Sequence, residues 1–598
     1  MEKKDIVKIL NEISIFYELK GENFFKIRAY QIAAKALEIS EIKLTKNTTL
    51  EEIQEIKGIG KSIATQIKAL IDTGKLQIYE DLKKSIPAGL IEMLKIPKLG
   101  PKKIKYLYEN LNISTVSELE YACLENKLIN LPGFGKKTQE NILHGIELLK
   151  KYKERFLYSE VINQALNIEN KLRSFNLIEN VSIAGSLRRK KETIKDIDIV
   201  ASTSNINNAK KIMDFFTSLE EVEEIIAKGE TKSSVRLKSG INSDLRLVSI
   251  KEYPFALHHF TGSKEHNTAM RAYVKKLSIK MNEYGLFKVN EDGTEEIIET
   301  KDKFKTEKDI FSFFKMDYIE PELRENTGEI EASLNKKLPK LIEEKDLKGI
   351  FHFHTTFSDG AMTIEQAVKE IKSMGFSYCG ITDHSKTAKY AGGIEEEKLD
   401  NYFEAIKNVN EKYNDFKVFA GIESDILPDG SLDYDDEILE KFDFVIIAIH
   451  SNFNMDKRQM TERIIKAMQN KYSTILSHPT GRLLLARDPY EVDITEIINA
   501  AAKYNVDLEI NASPFRLDLD WLNCKYAKDK NVKLFINPDA HNLDGLHDYK
   551  YGINIARKGW LEKENVANTM SLNEMIEYLK LKKQNKSLPK FNISLTCL

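Results

Sequence analysis

Residues 184–200 read AGSLRRKKETIKDIDIV, and the end of this stretch decides the nature of the domain around it. Asp196 and Asp198 flank Ile197 in an apolar run, and the two-residue period of a β-strand places both carboxylates on one face. Two like charges so close favour a bound cation, and hard oxygen ligands suit Mg²⁺ or Mn²⁺. An isolated Asp-x-Asp is more often a solvated strand end, so the neighbouring segments must decide.

Those neighbouring segments favour a metal site that handles phosphates. Asp244 opens an apolar run and can add a third carboxylate, as in two-metal phosphoryl transfer. Upstream, Gly185 allows close approach, while Ser186 and Arg189 can hold phosphate oxygens. Strand-like runs predict a sheet that carries the site, at residues 181–184, 197–200, 234–237 and 245–248.

A second pattern begins after residue 340, where seven apolar runs each end in a histidine or carboxylate. The residues at these ends are His352, His354, Asp359, Asp383, His384, Glu423, Asp425, His450, His478, Glu509, Asn511, Asp539 and His541. In a barrel of parallel strands all carboxyl ends meet at one face. Imidazole with carboxylate and without thiolate suits Zn²⁺, Mn²⁺ or Fe²⁺. A single histidine is more often a core or surface residue, but six of the eleven histidines lie at these ends. The pattern therefore predicts a multinuclear phosphoesterase site.

The first 150 residues repeat a short turn between amphipathic helices. Its copies are IKGIGK at 56–61, IPKLGP at 96–101 and LPGFGK at 131–136. Glycines let the backbone turn tightly near a phosphate, and the next helix offers free N–H groups. The glycines concerned are Gly58, Gly60, Gly100, Gly133 and Gly135. Such turns hold DNA by its backbone without reading bases. A nucleotide-binding P-loop at Gly60-Lys61-Ser62 is excluded, because Glu55 stands where that motif needs glycine.

Composition agrees with a multidomain DNA-binding protein. The 598 residues are 42% hydrophobic and 30% charged, which favours three to five globular domains. Residues 1–280 carry a net charge of +11 and residues 281–598 carry −13, so only the first half is suited to a polyanion. The four cysteines have no paired spacing, which excludes a disulfide framework and favours a reducing cytoplasm. No window approaches the ~20 apolar residues of a membrane span, so we expect neither export nor insertion.

The first half resembles the family X DNA polymerases over about residues 1–326. The resemblance depends on the spacing from Gly-Ser-x-Arg-Arg to Asp-x-Asp and from Thr261-Gly262-Ser263 to Asn267. It implies that Asp196, Asp198 and Asp244 bind Mg²⁺ or Mn²⁺, with Asp244 the base for the primer hydroxyl. It also implies contacts with deoxynucleoside triphosphate from Gly185, Ser186, Arg189, Phe260, Gly262 and Asn267, and with the template strand from Arg271.

Three positions depart from that family pattern. Gln66 stands where the repair enzymes carry the lysine that forms a Schiff base, so 5′-deoxyribose-phosphate lyase activity is not expected unless Lys26 or Lys68 substitutes. His259 replaces a common tyrosine, which leaves the exclusion of ribonucleotides open. Asn242 replaces a common arginine two residues before the third aspartate.

The second half resembles the polymerase and histidinol phosphatase (PHP) domain, through His-x-His-Thr-Thr-x-Ser-Asp-Gly at 352–360. By that resemblance the ligands of two or three Mn²⁺, Zn²⁺ or Fe²⁺ ions are His352, His354, Asp359, His384, Glu423, His450, His478, Asp539 and His541. Glu423 would bridge two metals, and Arg482 and Arg516 would clamp phosphate.

We therefore expect a multidomain fold: an α-helical helix-hairpin-helix region, an α+β polymerase palm and thumb, and a C-terminal α/β PHP domain built as a distorted barrel. The predicted boundaries are 1–90 and 91–150 for the two helical subdomains, 151–260 for the palm, 261–326 for the thumb, 327–345 for a linker, 346–580 for the PHP domain and 581–598 for a basic tail.

Joined in one chain, these modules resemble the bacterial and archaeal family X architecture. The implied function is gap-filling repair synthesis on gapped or primed DNA with 3′ to 5′ exonuclease action, and some such domains also cut at abasic sites. A nucleoid-associated location and no required oligomer are expected. One alternative is a phosphoesterase whose first half only binds DNA, and another is a non-enzymatic DNA scaffold.

Overall fold

The computed structural model describes residues 3–584 except 43, 112, 117, 118, 120, 121, 124–127, 129, 130, 132, 153, 154, 299–302, 486 and 487. Most of the predicted basic tail therefore lies outside the described residues. The chain divides into two compact units, Met1–Glu154 and Arg155–Leu598. Within the described part of the chain, no helix combines the length and the apolar character needed to cross a bilayer.

The first unit is helical. Its helices span Lys3–Lys20, Phe24–Ile39, Leu50–Gln54, Lys61–Thr73, Gln77–Ser85, Ala88–Met93, Pro101–Leu111 and Lys136–Tyr152. Each of the three repeated turns leads directly into a helix, which begins at Lys61, Pro101 and Lys136. The core is mainly aliphatic, with side chains such as Ile67, Leu90 and Ile104 almost fully buried. A helix therefore follows each glycine turn as predicted, and helices Leu50–Gln54 and Ala88–Met93 precede the first two turns.

The second unit begins with a mixed sheet. The strands of this region are β1 (Phe156–Leu157), β2 (Asn180–Ile183), β3 (Thr193–Ile194), β4 (Asp196–Thr203), β5 (Val222–Lys228), β6 (Lys232–Leu237) and β7 (Asn242–Ser249), of which β1 and β3 form a separate antiparallel pair. Five of them form one sheet in the order β2-β4-β7-β6-β5, in which β4 and β7 run parallel. The helices around it span Tyr158–Arg173, Gly185–Arg188, Ala209–Thr217 and Tyr253–Thr261. All four predicted strands are present, and β5 is an additional edge strand.

Alternation along β4 separates the core from the site. Ile197, Ile199 and Ala201 are fully buried and pack with helices Tyr158–Arg173 and Ala209–Thr217. Asp196 and Asp198 alternate with them and are half-buried on the opposite face. The hydrophobic core on one side of the strand thereby fixes the direction of both carboxylates.

A small α+β module follows. It contains helices Lys264–Lys275 and Glu307–Phe313, and strands β8 (Ile279–Asn282), β9 (Gly285–Val289) and β10 (Glu295–Ile297) in the antiparallel order β10-β9-β8. A tight turn at residues 290–294 joins β9 to β10. The expected linker at 327–345 contains a short helix, Glu329–Leu334, in which Glu329 and Ile330 are buried.

The last part is a parallel sheet whose seven strands follow chain order. They are β11 (Gly349–Ile350), β12 (Tyr378–Ile381), β13 (Lys417–Asp425), β14 (Phe444–Ala448), β15 (Ser473–Leu476), β16 (Asp507–Asn511) and β17 (Leu534–Asn537). Helices span Ile364–Ser373, Leu399–Lys412, Asp436–Leu439, Lys457–Met468, Ile494–Tyr504, Trp521–Asp529, Tyr549–Lys558 and Leu572–Gln584. A parallel bridge between Phe353 and Ala540 brings the two edges together. The sheet is nearly closed, so the predicted barrel-like α/β domain is confirmed.

Candidate metal centres

Three carboxylates occupy neighbouring positions on the palm sheet. Asp198 and Asp244 are direct neighbours in the parallel pairing of β4 with β7, and Asp196 lies two residues before Asp198. Burial, followed by repulsion from Asp196 and Asp244, raises the pKa of Asp198 to about 7. Burial and Asp244 also raise the pKa of Asp196. Lys232 contributes one nearby positive charge, with its Nζ 2.5 Å from Asp244 Oδ2. The carboxylate set therefore fits a divalent cation, whose charge would offset this repulsion.

Gly185 is required by the position of Asp198. A Cβ atom at residue 185 would lie 2.1 Å from Asp198 Oδ2, and the backbone there has a φ of +61°. Both observations favour glycine, which has no Cβ and adopts positive φ without strain. The sequence predicts close approach of this residue to a phosphate, and the structure adds a second reason, contact with a carboxylate of the palm.

The arginines after Gly185 are held by the thumb. Arg188 donates to Thr261 Oγ1 at 2.6 Å and pairs with Glu307 at 2.5 Å. Arg189 donates through Nε to Glu325 at 3.0 Å and through Nη1 to the Thr261 carbonyl at 2.5 Å. Ser186 is half-buried on the same turn. The predicted phosphate-binding loop is thus connected to the Thr-Gly-Ser segment.

The remaining residues predicted to contact the nucleotide or the template lie in that Thr-Gly-Ser segment or close to it. Ser263 caps helix Lys264–Lys275 by accepting from the His266 N–H. Asn267 donates to the His259 carbonyl at 2.7 Å, and the exposed Arg271 donates to the Asn267 carbonyl at 3.2 Å. Phe260, which precedes this segment, is half-buried and lies under Arg246, with 4.4 Å between the guanidinium carbon and the ring centroid. Gly262, with a φ of +66°, lies against the Arg189 guanidinium.

The three departures from the family pattern have distinct surroundings. Gln66 accepts a hydrogen bond from the Tyr30 hydroxyl at 2.8 Å. Asn242 is exposed beside Asp196 in the register of β4 and β7. His259 is half-buried, and burial lowers its pKa. The two lysines that could replace the lyase lysine each lie beside an acid four positions away in the sequence: Lys26 Nζ is 3.5 Å from Glu22 and Lys68 Nζ is 2.8 Å from Asp72.

The turns of the helical unit use positive φ at matching positions. Gly58 and Gly133 have φ of +106° and +79°, and the equivalent residue of the second copy is Lys98 at +65°. The last glycine of each copy, Gly60, Gly100 or Gly135, directly precedes the helix, and among the described residues no atom lies within 4 Å of a Cβ placed at any of the three. Open space at the helix N-terminus suits the approach of a phosphate.

All nine predicted PHP ligands meet at the carboxyl ends of the parallel strands. Their donor atoms form four groups, each with all atoms within 4.8 Å. The groups are His354, Asp359, His384 and His541; His352, His354 and Asp539; His352, Glu423 and His478; and His384, Glu423 and His450. Glu423 belongs to two groups, as expected of a bridging carboxylate. The geometry matches a cluster of several ions.

The electrostatics of this cluster also fit cations. Within the described residues, His352 Nε2, His354 Nε2 and Glu423 Oε2 are buried and make no hydrogen bond. Burial and the neighbouring imidazoles of His384 and His541 lower the pKa of His354 to about 3, so this ring is neutral and free to coordinate. For Glu423, burial raises the pKa, but His450 and His352 outweigh it and hold it well below its usual range. Bound cations would satisfy all three unbonded atoms.

Acids outside the ligand set orient two of the histidines. Glu509 Oε2 lies 2.6 Å from His352 Nδ1, and Asp425 Oδ1 lies 2.6 Å from His450 Nδ1. Such contacts leave Nε2 of each ring to face a metal. Both acids were predicted at strand ends, but their role in orienting histidines was not, because the histidines they contact are distant in the chain.

The two predicted phosphate clamps have different surroundings. Arg516 Nε lies 3.5 Å from Asp539, one of the ligand carboxylates. Arg482 instead donates to the carbonyl oxygens of Arg516 and Leu517 and lies 3.5 Å from Glu192 in the palm. The contacts of Arg482 are those of a residue that joins two domains, and Arg516 is the better candidate for phosphate.

Comparisons with family models match the two helical subdomains, the thumb and the PHP domain. Family models match a helix-hairpin-helix domain at residues 1–76, a SAM-like helix-hairpin-helix tandem at 90–147, a DNA polymerase beta thumb at 256–325 and a PHP domain at 351–513. A probable phosphatase of Thermoanaerobacter sp. (strain X514) is 29% identical over 244 residues, 39% of this chain and 94% of its own length. Another, from Caldicellulosiruptor bescii, is 28% identical over 239 residues, 38% of this chain and 94% of its own length.

A longer relative covers both halves. The DNA polymerase/3′-5′ exonuclease PolX of Bacillus subtilis (strain 168) is 40% identical over 584 residues, 97% of this chain and 100% of the relative. The match includes the palm as well as the PHP domain, which supports the polymerase interpretation over a phosphoesterase whose first half only binds DNA. The chain therefore belongs to the PolX family of DNA polymerases with helix-hairpin-helix, polymerase beta thumb and PHP domains.

Proposed function

We propose that this chain fills short gaps in DNA by adding deoxynucleotides at the palm and trims 3′ ends at the PHP cluster. The observation that supports the first activity best is the set of three neighbouring carboxylates on β4 and β7, two of which have raised pKa values. A set of this kind is suited to binding Mg²⁺ or Mn²⁺. The domain boundaries given above, from 1–90 to 581–598, belong to this proposal.

Asp196, Asp198 and Asp244 would hold the ions of the polymerase site. Two divalent ions bound there would polarise the attacking 3′ hydroxyl and neutralise charge on the leaving pyrophosphate. In our proposal Asp244 accepts the proton of the primer hydroxyl. The chain's other contribution is to orient the reactants in line, because position and electrostatics supply most of the rate in phosphoryl transfer.

The deoxynucleoside triphosphate would lie between the Gly185 turn and the Thr-Gly-Ser segment. We assign the triphosphate to Ser186 and Arg189, beside Gly185, and the sugar to Phe260 and Gly262. Asn267 would contact the edge of the base in the minor groove, and Arg271 would monitor the template strand. These assignments are supported by the contacts that join the segments, such as the 2.5 Å bond from Arg189 to the Thr261 carbonyl.

Gapped or primed DNA is the proposed substrate. We assign its phosphate backbone to the turns that contain Gly58, Gly60, Gly100, Gly133 and Gly135, each followed by a helix N-terminus. Contacts of this kind are independent of sequence. We propose no lyase activity, because the Gln66 amide cannot form an imine with an abasic sugar.

The PHP cluster would bind two or three Mn²⁺, Zn²⁺ or Fe²⁺ ions through His352, His354, Asp359, His384, Glu423, His450, His478, Asp539 and His541. Ions bound there would supply the activated water that attacks a terminal phosphodiester. The chain's own part is to orient the ligands through Glu509 and Asp425 and to hold the phosphate through Arg516. Cleavage at abasic sites would use the same residues.

Two single substitutions separate the activities. Asp196→Ala should abolish extension of a gapped primer and leave 3′ trimming intact, whereas His352→Ala should do the reverse. Each variant is the folding control of the other. The polymerase proposal is wrong if Asp196→Ala still extends the primer, and the exonuclease proposal is wrong if His352→Ala still trims. Metal analysis of the purified protein would identify the ions, and a duplex with one abasic site tests the endonuclease.

A further inference from the structure

A lysine of the PHP domain reaches the loop that carries the proposed triphosphate ligand. Lys558, the last residue of helix Tyr549–Lys558, is fully buried. Its Nζ donates to the Arg189 carbonyl at 3.2 Å, to the Glu322 carbonyl at 3.3 Å and to Glu325 Oε1 at 2.5 Å. One ammonium group therefore connects the PHP domain to both the palm loop and the end of the thumb.

Glu325 is shared between that lysine and the palm. The same Oε1 accepts a hydrogen bond from Arg189 Nε at 3.0 Å, and Oε2 lies 3.3 Å from Lys191 Nζ. Burial raises the pKa of Glu325, but the charges of Lys558, Arg189 and Lys191 outweigh it and lower that pKa. The carboxylate thus stays ionised and is the common counterion of three cations, one of them from another domain.

The orientation of Arg189 depends on these bonds. Glu325 holds its Nε, and the Thr261 carbonyl holds its Nη1 at 2.5 Å. Two bonds to a planar guanidinium fix both its plane and its direction. Lys558 acts on this arrangement twice, through Glu325 and through the backbone carbonyl of Arg189.

We propose that Lys558 is a positioning residue for nucleotide binding, which holds Arg189 ready for the triphosphate from within the PHP domain. The inference rests on the proposed role of Arg189. Without the lysine, the buried Glu325 keeps Arg189 and Lys191 of the palm as partners, and the Arg189 carbonyl loses a charged donor. The Arg189 guanidinium then either moves together with the displaced Glu325 carboxylate or loses its fixed orientation. Either change weakens the binding of triphosphate. The polymerase site is in this sense incomplete without the PHP domain.

The test uses the full-length chain and gapped-primer extension. Lys558→Met should raise the KM for deoxynucleoside triphosphate about tenfold, as expected for the loss of one charge-assisted contact. The kcat at saturating triphosphate and the rate of 3′ trimming should stay within about twofold, because neither the palm carboxylates nor the PHP ligands change. Lys558→Arg, which retains the positive charge, should have a KM close to that of the wild type.

Lys525→Met is the matched control. Lys525 also joins the PHP domain to the segment after the thumb, with its Nζ 2.6 Å from the Thr327 carbonyl and 3.6 Å from the Trp560 ring centroid. The Lys525→Met substitution removes a similar interdomain contact at a different place. If Lys525→Met raises the KM as much as Lys558→Met, the effect is one of domain docking and the inference is overturned.

Glu325→Gln and Arg189→Ala complete the test. If Lys558 acts through Glu325, the KM effects of Lys558→Met and Glu325→Gln should be strongly non-additive in the double variant, and full additivity contradicts the inference. Should Lys558→Met fail to fold, Glu325→Gln alone must raise the KM. If the KM of Arg189→Ala is unchanged, the proposed contact between Arg189 and the triphosphate is refuted. If the KM of Arg189→Ala is raised but that of Lys558→Met is unchanged, only the inference about Lys558 is refuted.

Discussion

Substitution of Gly185 by alanine should damage the palm site through Asp198. The new Cβ would lie 2.1 Å from Asp198 Oδ2, whereas real Cβ atoms essentially never come within 3.0 Å, so the carboxylate must move by at least about 0.9 Å. A displacement of about 1 Å in a catalytic group costs about 100-fold in rate, or about 2.7 kcal/mol of transition-state stabilisation. Alanine at a φ of +61° adds about 1 to 2 kcal/mol of backbone strain to the folded state.

The assay is single-turnover extension of a gapped primer at saturating Mg²⁺ and triphosphate. Gly240→Ala provides the matched control, since Gly240 also has a positive φ, +91°, but its nearest neighbour is a Phe156 ring atom at 3.8 Å. Both variants should lose similar stability in thermal unfolding, and both should trim 3′ ends normally. Only Gly185→Ala should lose about 100-fold in extension. Equal extension rates for the two variants would refute the argument that Gly185 is needed by Asp198.

Three further predictions concern metals and lyase chemistry. Because the pKa of Asp198 is raised to about 7, Mg²⁺ must displace a proton from this carboxyl group below pH 7. The apparent affinity for Mg²⁺ in extension assays should therefore fall about tenfold for each pH unit below 7 and should be constant above pH 7. Glu509→Gln, which weakens the 2.6 Å contact with His352, should lower Mn²⁺ affinity about 10- to 100-fold in metal titrations and reduce trimming, with extension unchanged. Borohydride should trap no adduct of the wild-type chain with an abasic sugar, whereas Gln66→Lys, placed beside the Tyr30 hydroxyl, should give one; a wild-type adduct would show that another lysine serves.

Regular local patterns allowed much of the fold to be predicted. The carboxylates of Asp196 and Asp198 could be placed on one face because side chains alternate along any strand, and the structure has that alternation in β4. The seven histidine or carboxylate ends could be brought together because parallel strands of a barrel share one carboxyl face. In both cases a rule that spans a few residues was enough.

What could not be predicted depends on contacts between distant residues. Strand β5 has six exposed residues out of seven, so it lacks the alternation of buried and exposed positions from which a strand can be predicted. The bond between Lys558 and the carbonyl of Arg189 joins positions 369 residues apart. Neither residue carries a local signal of that partnership. The same holds for Glu509, whose contact with His352 spans 157 residues.

Glu423 belongs to two donor groups, one with His352 and His478 and the other with His384 and His450, and would therefore link the loading of ions bound in the two groups. An ion bound to one oxygen of Glu423 would fix this side chain, so that the side chain would lose less conformational freedom when a second ion binds. By reciprocity, removal of either ion would weaken the binding of the other. The cluster would then fill and empty over a narrow range of metal concentration, and the proposed trimming would respond sharply to the supply of the metal.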